Sequence, residues 1–235
     1  MPAPDPAAPR SASPPDPFFL ERAAAAAWPA AVAEEREGWL LRATPRVPHR
    51  RNNSALPLGR DLEVGAVEAF YEARGEDALI AVAPIESLGP LDADLERRGW
   101  AAEGATDVLV ASAATVAAAT EASPGRVEPV DPMAWPNEAV RTEVLARSRD
   151  EVLAFAEGQL GAVLCIRTGD VAGVFRLHVA PQARRTGVAS RLLAACARTT
   201  PTLYAQVEAD NEPAQRLFAK AGFARSHGYH YRRRR

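Results

Sequence analysis

The stretch Leu177-His178-Val179-Ala180-Pro181-Gln182-Ala183-Arg184-Arg185-Thr186-Gly187-Val188-Ala189-Ser190-Arg191-Leu192-Leu193 changes character twice. Up to Val179 it reads as a strand, and Pro181, which cannot donate to a continuing ladder, closes it. A short cationic loop follows, and near Gly187 a helix begins. The first amides of a helix lack intrahelical acceptors and face outward, which makes an anion site. Gly187 has no Cβ to hold an anion away from the backbone. Arg184 and Arg185 add charge at the same mouth, and the whole suits a pyrophosphate.

Working outward, 152–156, 161–167 and 171–179 read as strands before this loop. After it come a helix over 187–198, a strand over 202–208, a helix over 211–221 ended by Gly222, and a terminal strand over 223–232. The first half has a similar order. An Ala-rich helix spans 18–33, and short strands span 38–43 and 54–58. A helix over 62–74 carries Val64, Val67 and Tyr71 at helical spacing and ends at Gly75. A buried strand (79–83), a helix (91–98, closed by Gly99) and a strand (106–111) complete it. Strands alternating with helices predict an α/β layer structure. A shift of 123 residues lays Gly38 on Gly161 and Arg97-Arg98-Gly99-Trp100 on Lys220-Ala221-Gly222-Phe223. One residue more lays Pro57 on Pro181, Arg60 on Arg184 and Glu63 on Gly187. This predicts a duplicated lobe whose first copy has a carboxylate where the second has its glycine.

The segment from Arg184 to Ala189 resembles the cofactor signature of the GNAT acetyltransferase superfamily, Gln/Arg-x-x-Gly-x-Gly/Ala, at Arg184, Gly187 and Ala189. A second block follows in order, Val207-Glu208-Ala209-Asp210-Asn211-Glu212-Pro213-Ala214-Gln215-Arg216-Leu217-Phe218-Ala219-Lys220-Ala221-Gly222-Phe223. It resembles the family pattern Asn-x-x-Ala-x-x-Leu-Tyr-x-x-x-Gly-Phe, and together the resemblance covers residues 151–235. It implies a GNAT fold, a mixed, mostly antiparallel twisted sheet flanked by helices, here as two tandem lobes. The implied divisions are a disordered leader (1–17), a degenerate N-terminal lobe (18–115), a linker (116–132) and a catalytic lobe (133–235). The closing Gly228-Tyr229-His230-Tyr231-Arg232 and the earlier Arg50-Arg51-Asn52-Asn53-Ser54 are similar to an actinobacterial subset of two-lobed members with one active lobe.

The resemblance also implies acetyl-CoA as co-substrate. Its pantetheine arm would pair with the strand edge at Leu177, His178 and Val179, as an added strand does. Its pyrophosphate would rest on amides from Arg184 through Arg185, Thr186, Gly187, Val188 and Ala189 to Ser190. Asn211 would lie beside the pantetheine, and a backbone N–H near Val179 would meet the oxyanion. The sequence departs from the family at Phe218, where many members carry a tyrosine that protonates the leaving thiolate. That role is then vacant, or falls to water, Tyr229 or Tyr231.

No catalytic residue is named by the sequence. His178 could act as a base, but it also fits its strand pattern. Glu208 and Asp210 could take a proton through water, but helix capping and solvation account for them too. Arg51 and Asn53 are candidates for an acceptor pocket between the lobes, with a capped turn as the alternative.

Composition bounds the rest. Apolar residues make up 47% and charged residues 25%, with a net charge of −2, so no strong field draws the chain to nucleic acid or membrane. Arg232 to Arg235 read as a solvated tail rather than a nucleic-acid footprint. Lys220 is the only lysine, and this Arg-, Ala- and Pro-rich composition is that of a GC-rich bacterial genome. Cys165 and Cys196 sit in apolar runs without metal-ligand spacing, so they read as reduced core residues and no metal is expected. No run of about 18 apolar residues is present, and the N-terminus lacks a signal pattern, so a cytoplasmic monomer or homodimer is expected. The expected activity is acetyl transfer from acetyl-CoA to a primary amine of a small molecule or peptide. The alternatives are a CoA-responsive binding protein without turnover and an interaction protein.

Overall fold

The computed structural model describes residues 14–45, 47, 49–60, 62–120 and 125–234. Most of the expected leader, 1–13, lies outside the described residues. Helix α1 (Pro17–Ala27) opens on a proline at its first turn, with the Asp16 side chain accepting from Phe19 N at 3.1 Å. It stops at Trp28, six residues earlier than its alanine content suggests. Pro29 is the reason: the residue before a proline is pushed out of the helical region. The freed residues form β1 (Val32–Arg36), which pairs with β2 (Trp39–Ala43) across Glu37 and Gly38. Both turn residues have positive φ, +49° and +79°, as a two-residue hairpin with right-handed strand twist requires.

The chain continues through β3 (Leu56–Pro57), α2 (Gly65–Glu72), β4 (Leu79–Val82), α3 (Gly89–Arg97) and β5 (Ala101–Ser112). α4 (Ala113–Thr120) runs into the segment expected to be a linker and β6 (Glu128–Val130) lies within it, and β6 pairs with the next strand in the chain across one intervening helix. That helix is α5 (Glu138–Glu143), followed by β7 (Glu151–Glu157), β8 (Gly161–Thr168), β9 (Val171–Val179), α6 (Val188–Ala197), β10 (Thr202–Glu208), α7 (Glu212–Lys220) and β11 (Ala224–Arg233). From α1 to β5 and again from α5 to β11, the order of elements is the same.

The two runs do not form two separate sheets. β1, β2 and β3 make a small antiparallel sheet, and the other eight strands form one sheet in the order β4-β11-β5-β10-β9-β8-β7-β6. The final strands are exchanged: β5 lies between β10 and β11, and β11 lies between β4 and β5. The break at 116–132 therefore divides the sequence and not the sheet. All neighbours in the large sheet are antiparallel except β9 and β10. The first run has the corresponding parallel step as a single bridge, Ala55 to Ile80.

Both faces of the sheet centre are covered, and β8 shows how. Val163 and Cys165 join the core under α6 with Val188, Leu192, Leu193 and Cys196. Their neighbours Leu164 and Ile166 join the core under α1 with Leu20, Ala24 and Trp28. A period of two with both phases apolar is what a doubly covered strand needs. Cys165 and Cys196 are free and buried. Among the described residues, no helix is long and apolar enough to cross a membrane.

Arg232 and Arg233 overturn the solvated-tail reading, and Arg235 lies outside the described residues. Arg232 is only 5% exposed; its Nε and Nη2 donate to Asp92 on α3 at 2.7 and 3.0 Å, and its Nη1 donates to Trp100 O. Arg233 pairs with Glu103 and Arg234 with Glu68. These arginines lock β11 onto the first run of the chain. Burial alone would raise the Asp92 pKa, but hydrogen bonds from Arg232 and His230 outweigh it and hold the carboxyl below its ordinary value. A depressed native pKa means stability that is full above the unfolded value and lost as pH falls through the native one. Asp92→Asn is expected to cost about 2 kcal/mol at neutral pH. In urea titrations that gap from wild type should close as the pH is lowered below the carboxylate range.

Candidate active site

β9 and β10 pair only at Thr202–Val171, Leu203–Ala172 and Tyr204–Gly173. Beyond Gly173, β9 stays with β8 as far as Val179, and β10 stays with β5 as far as Glu208. The strands have parted. A bulge on β9 accompanies the split: the four residues from Phe175 to His178 lie opposite the three from Leu164 to Ala162, and Arg176 has φ +54°. Phe175 fills the fork, stacked on Trp28 with centroids 5.3 Å apart and edge-on to Tyr204 at 6.2 Å. Gly173 admits this wedge, since a Cβ there would overlap both rings.

On the α6 side the fork opens into a cleft of about 870 Å³. At its mouth Gly187 caps α6 in the left-handed conformation, φ +86°, and the first backbone bond of the helix is Arg191 N to Gly187 O. The amides of Val188, Ala189 and Ser190 therefore have no intrahelical acceptor. The loop is braced: Thr186 Oγ1 donates to Ala183 O at 2.7 Å, Arg191 Nη1 donates to Thr186 O, and Arg191 makes two 2.7 Å bonds to Glu157 on β7. Ala180 N donates to Leu160 O, so by the alternation of an antiparallel edge Val179 directs its own N–H away from β8, towards the parted side.

Of the residues singled out in the sequence, Leu177, His178, Val179, Arg184, Arg185, Gly187, Val188, Ala189, Ser190, Asn211 and Phe218 all line this one cleft. Thr186 does not; it braces the loop. Asn211 is also the cap of α7, its Oδ1 accepting from Ala214 N at 3.2 Å. Phe218 lies edge-on to Phe223 with centroids 5.0 Å apart. Arg216 and Lys220 were not anticipated and complete the α7 wall. Their spacing of four, continuing from Glu212, was the available signal.

On the α1 side lies a second cavity of about 260 Å³, built from both runs of the chain. β9 and β10 contribute Phe175, Arg176, Gln206 and Glu208, the 49–51 turn contributes His49, Arg50 and Arg51, and β11 contributes Tyr229 and Tyr231. Arg51 sits over the Phe175 ring, 5.5 Å from its centroid. Arg50 pairs with Glu208 at 3.2 Å. Burial, and then the charges of Arg176 and Arg51, push the His49 pKa down, so its imidazole is neutral at physiological pH. Asn53 does not line the cavity, contrary to the pocket expectation. Its Oδ1 accepts from Thr44 N, and its Nδ2 donates to Val47 O and His49 O, so it staples the turn that carries His49. Asp210 lines neither space. Among the described residues, no group of three or more metal-ligating side chains is gathered.

Among the described residues, the first run of the chain has no such mouth. α2 is preceded by Val64 with φ −71°, a right-handed conformation, and Glu63 O accepts from Trp39 Nε1 at 3.0 Å.

Over residues 19–232 the chain matches the family model described as "Probable histone acetyltransferase Rv0428c C-terminal". No curated protein matches it. Among solved structures it is similar to a functionally unknown protein from Staphylococcus epidermidis (TM-score 0.64, 10% identity, 88% of this chain and 94% of that one). It is also similar to a GCN5-related N-acetyltransferase from Kribbella flavida (0.62, 9%, 92% and 95%). A tandem GNAT protein from the clavulanic acid biosynthesis pathway scores 0.58 at 14% identity, covering 96% and 89%. At these identities the likeness establishes the fold.

Proposed function

Because the chain belongs to the Rv0428c C-terminal family and has the GNAT fold, we propose that it transfers the acetyl group of acetyl-CoA directly to a primary amine. The observation that carries this reading is the fork between β9 and β10, with an anion-binding helix mouth on one side and a second cavity on the other. The acyl group would come from acetyl-CoA, bound as co-substrate along the cleft. The amides of Val188, Ala189 and Ser190, with Arg184 and Arg185 beside them, suit its pyrophosphate. The free edge of β9 suits the pantetheine amides. Val179 N–H, directed to that edge, would donate to the carbonyl oxygen as negative charge develops on it.

The amine would enter from the second cavity. Neutral His49, or Glu208 through water, would take its proton as the C–N bond forms and the C–S bond breaks. Phe218 offers the departing sulfur no proton. A thiol of pKa about 8.5 leaves well enough to collect one from water near neutral pH. Tyr229 and Tyr231 line the amine side, so neither is placed in the cofactor cleft.

The test is calorimetric titration with acetyl-CoA followed by amine-dependent thiol release across peptide, amino-acid, polyamine and aminoglycoside acceptors. A histone-tail peptide belongs in the panel, given the family's description. We expect one equivalent bound per chain and an acetylated product by mass spectrometry. A second equivalent would overturn the silent first run. Binding without turnover on any amine would favour a CoA-responsive regulator.

A further inference from the structure

The amine-side cavity has the wrong charge for a simple cationic amine. Its wall carries Arg50, Arg51 and Arg176, but only one carboxylate, Glu208, and that one is taken by Arg50. Among the described residues, neither Arg51 nor Arg176 has a carboxylate at ion-pairing distance. Glu21, which lines a small adjoining cavity with Arg51, is held instead by His227 Nε2 at 2.8 Å and by Gln206 Nε2. Two guanidinium groups thus line a space of about 260 Å³ without an ion-pair partner, Arg51 being hydrogen-bonded to Tyr229 with Glu21 farther off. The depressed His49 pKa follows in part from the same two arginines. Such a wall repels a polyamine or a lysine flanked by other cations.

Resting on the acetyltransferase reading above, we infer that the acceptor is a small amine carrying its own carboxylate, bound through Arg51 and Arg176. A planar guanidinium presents paired donors that match a carboxylate. Arg51 sits over the Phe175 ring, and the bulge sets the backbone of Arg176, with both residues on the cavity wall. Held by its carboxylate, the acceptor keeps its nitrogen among positive charges. That environment lowers the ammonium pKa and favours the neutral nucleophile.

The experiment compares kcat/KM for matched pairs, glycine against glycinamide and β-alanine against β-alaninamide, with spermidine and a histone-tail peptide alongside. Acetyl-CoA binding is measured separately by calorimetry. The carboxylates should exceed their amides by at least about 30-fold, the loss typical of a charge-assisted contact. Arg176→Gln and Arg51→Met should bring that ratio towards one, and Arg51→Lys should restore part of it. A merely structural defect would lower both members of a pair and leave the ratio unchanged. Amides or the peptide turned over as well as the carboxylates would overturn the inference while leaving the acetyltransferase reading standing. So would the absence of turnover on every carboxylate-bearing amine. Loss of acetyl-CoA binding in the wild type would overturn both.

Discussion

Gly187→Glu is expected to weaken acetyl-CoA binding by 100-fold or more while the chain remains folded. Two effects add. At φ +86° a side chain sits in left-handed backbone, at a cost of roughly 1–2 kcal/mol. The larger effect is electrostatic: a carboxylate about 4 Å from a phosphate charge repels it by about 4 kcal/mol at an effective dielectric of 20. The loop keeps its other braces, since Thr186–Ala183 and Arg191–Glu157 do not involve position 187. Gly187→Ala separates the two effects and should lose less than about tenfold. Calorimetry on both variants, with circular dichroism to establish folding, decides the matter. A folded Gly187→Glu chain with wild-type affinity would remove this helix mouth from the cofactor site.

Gly161→Ala is expected to destabilise the chain strongly for a single added methyl. Gly161 begins β8 opposite Val179, and a Cβ there would lie 2.7 Å from His178 O, 2.8 Å from Val188 Cγ1 and 3.3 Å from Leu192 Cδ1. The carbonyl is backbone and cannot swing aside, and Val188 is the first residue of α6. The helix must therefore move off the sheet or the ladder must open. Overpacking of this kind costs about 3 kcal/mol. For a chain of this size that corresponds to a Tm roughly 6–12 °C lower. Because the first turn of α6 carries the proposed phosphate amides, acetyl-CoA affinity should fall together with stability. Gly65→Ala is the control: a Cβ there meets open space, and the variant should match or slightly exceed wild type. Urea denaturation showing Gly161→Ala within about 0.5 kcal/mol of wild type, the range of ordinary surface changes, would mean that α6 does not approach β8 this closely.

The signals that could be read from residues alone were local ones. Pro181 ends a strand and Gly187 opens a helix because each restricts or frees its own backbone, whatever lies elsewhere. Asn211 and Gly222 bracket α7 for the same reason. The cleft beside α6 is therefore nearly contiguous in sequence, built from 177–190 and 211–220. Pro29 is an equally local signal, and it ends α1 against the preference of the alanines before it for a longer helix. Asn53 was misplaced because an exposed-looking amide gives no hint that its three hydrogen bonds are already spent on its own turn.

Tertiary structure alone decided the exchange of β5 and β11. A strand's period of two states which face is buried but not which neighbour it pairs with, since any two apolar strands offer the same backbone donors and acceptors. For the same reason a run of four terminal arginines reads as solvated until Asp92, some 140 residues away, is brought beside Arg232. The second cavity belongs to this class as well. His49, Arg176, Gln206 and Tyr229 carry no shared spacing, and only the exchanged sheet brings them around one space. The backbone conformations of the helix mouth are written residue by residue in the chain, whereas the charge of the second cavity is a sum over distant residues and exists only once they are packed together.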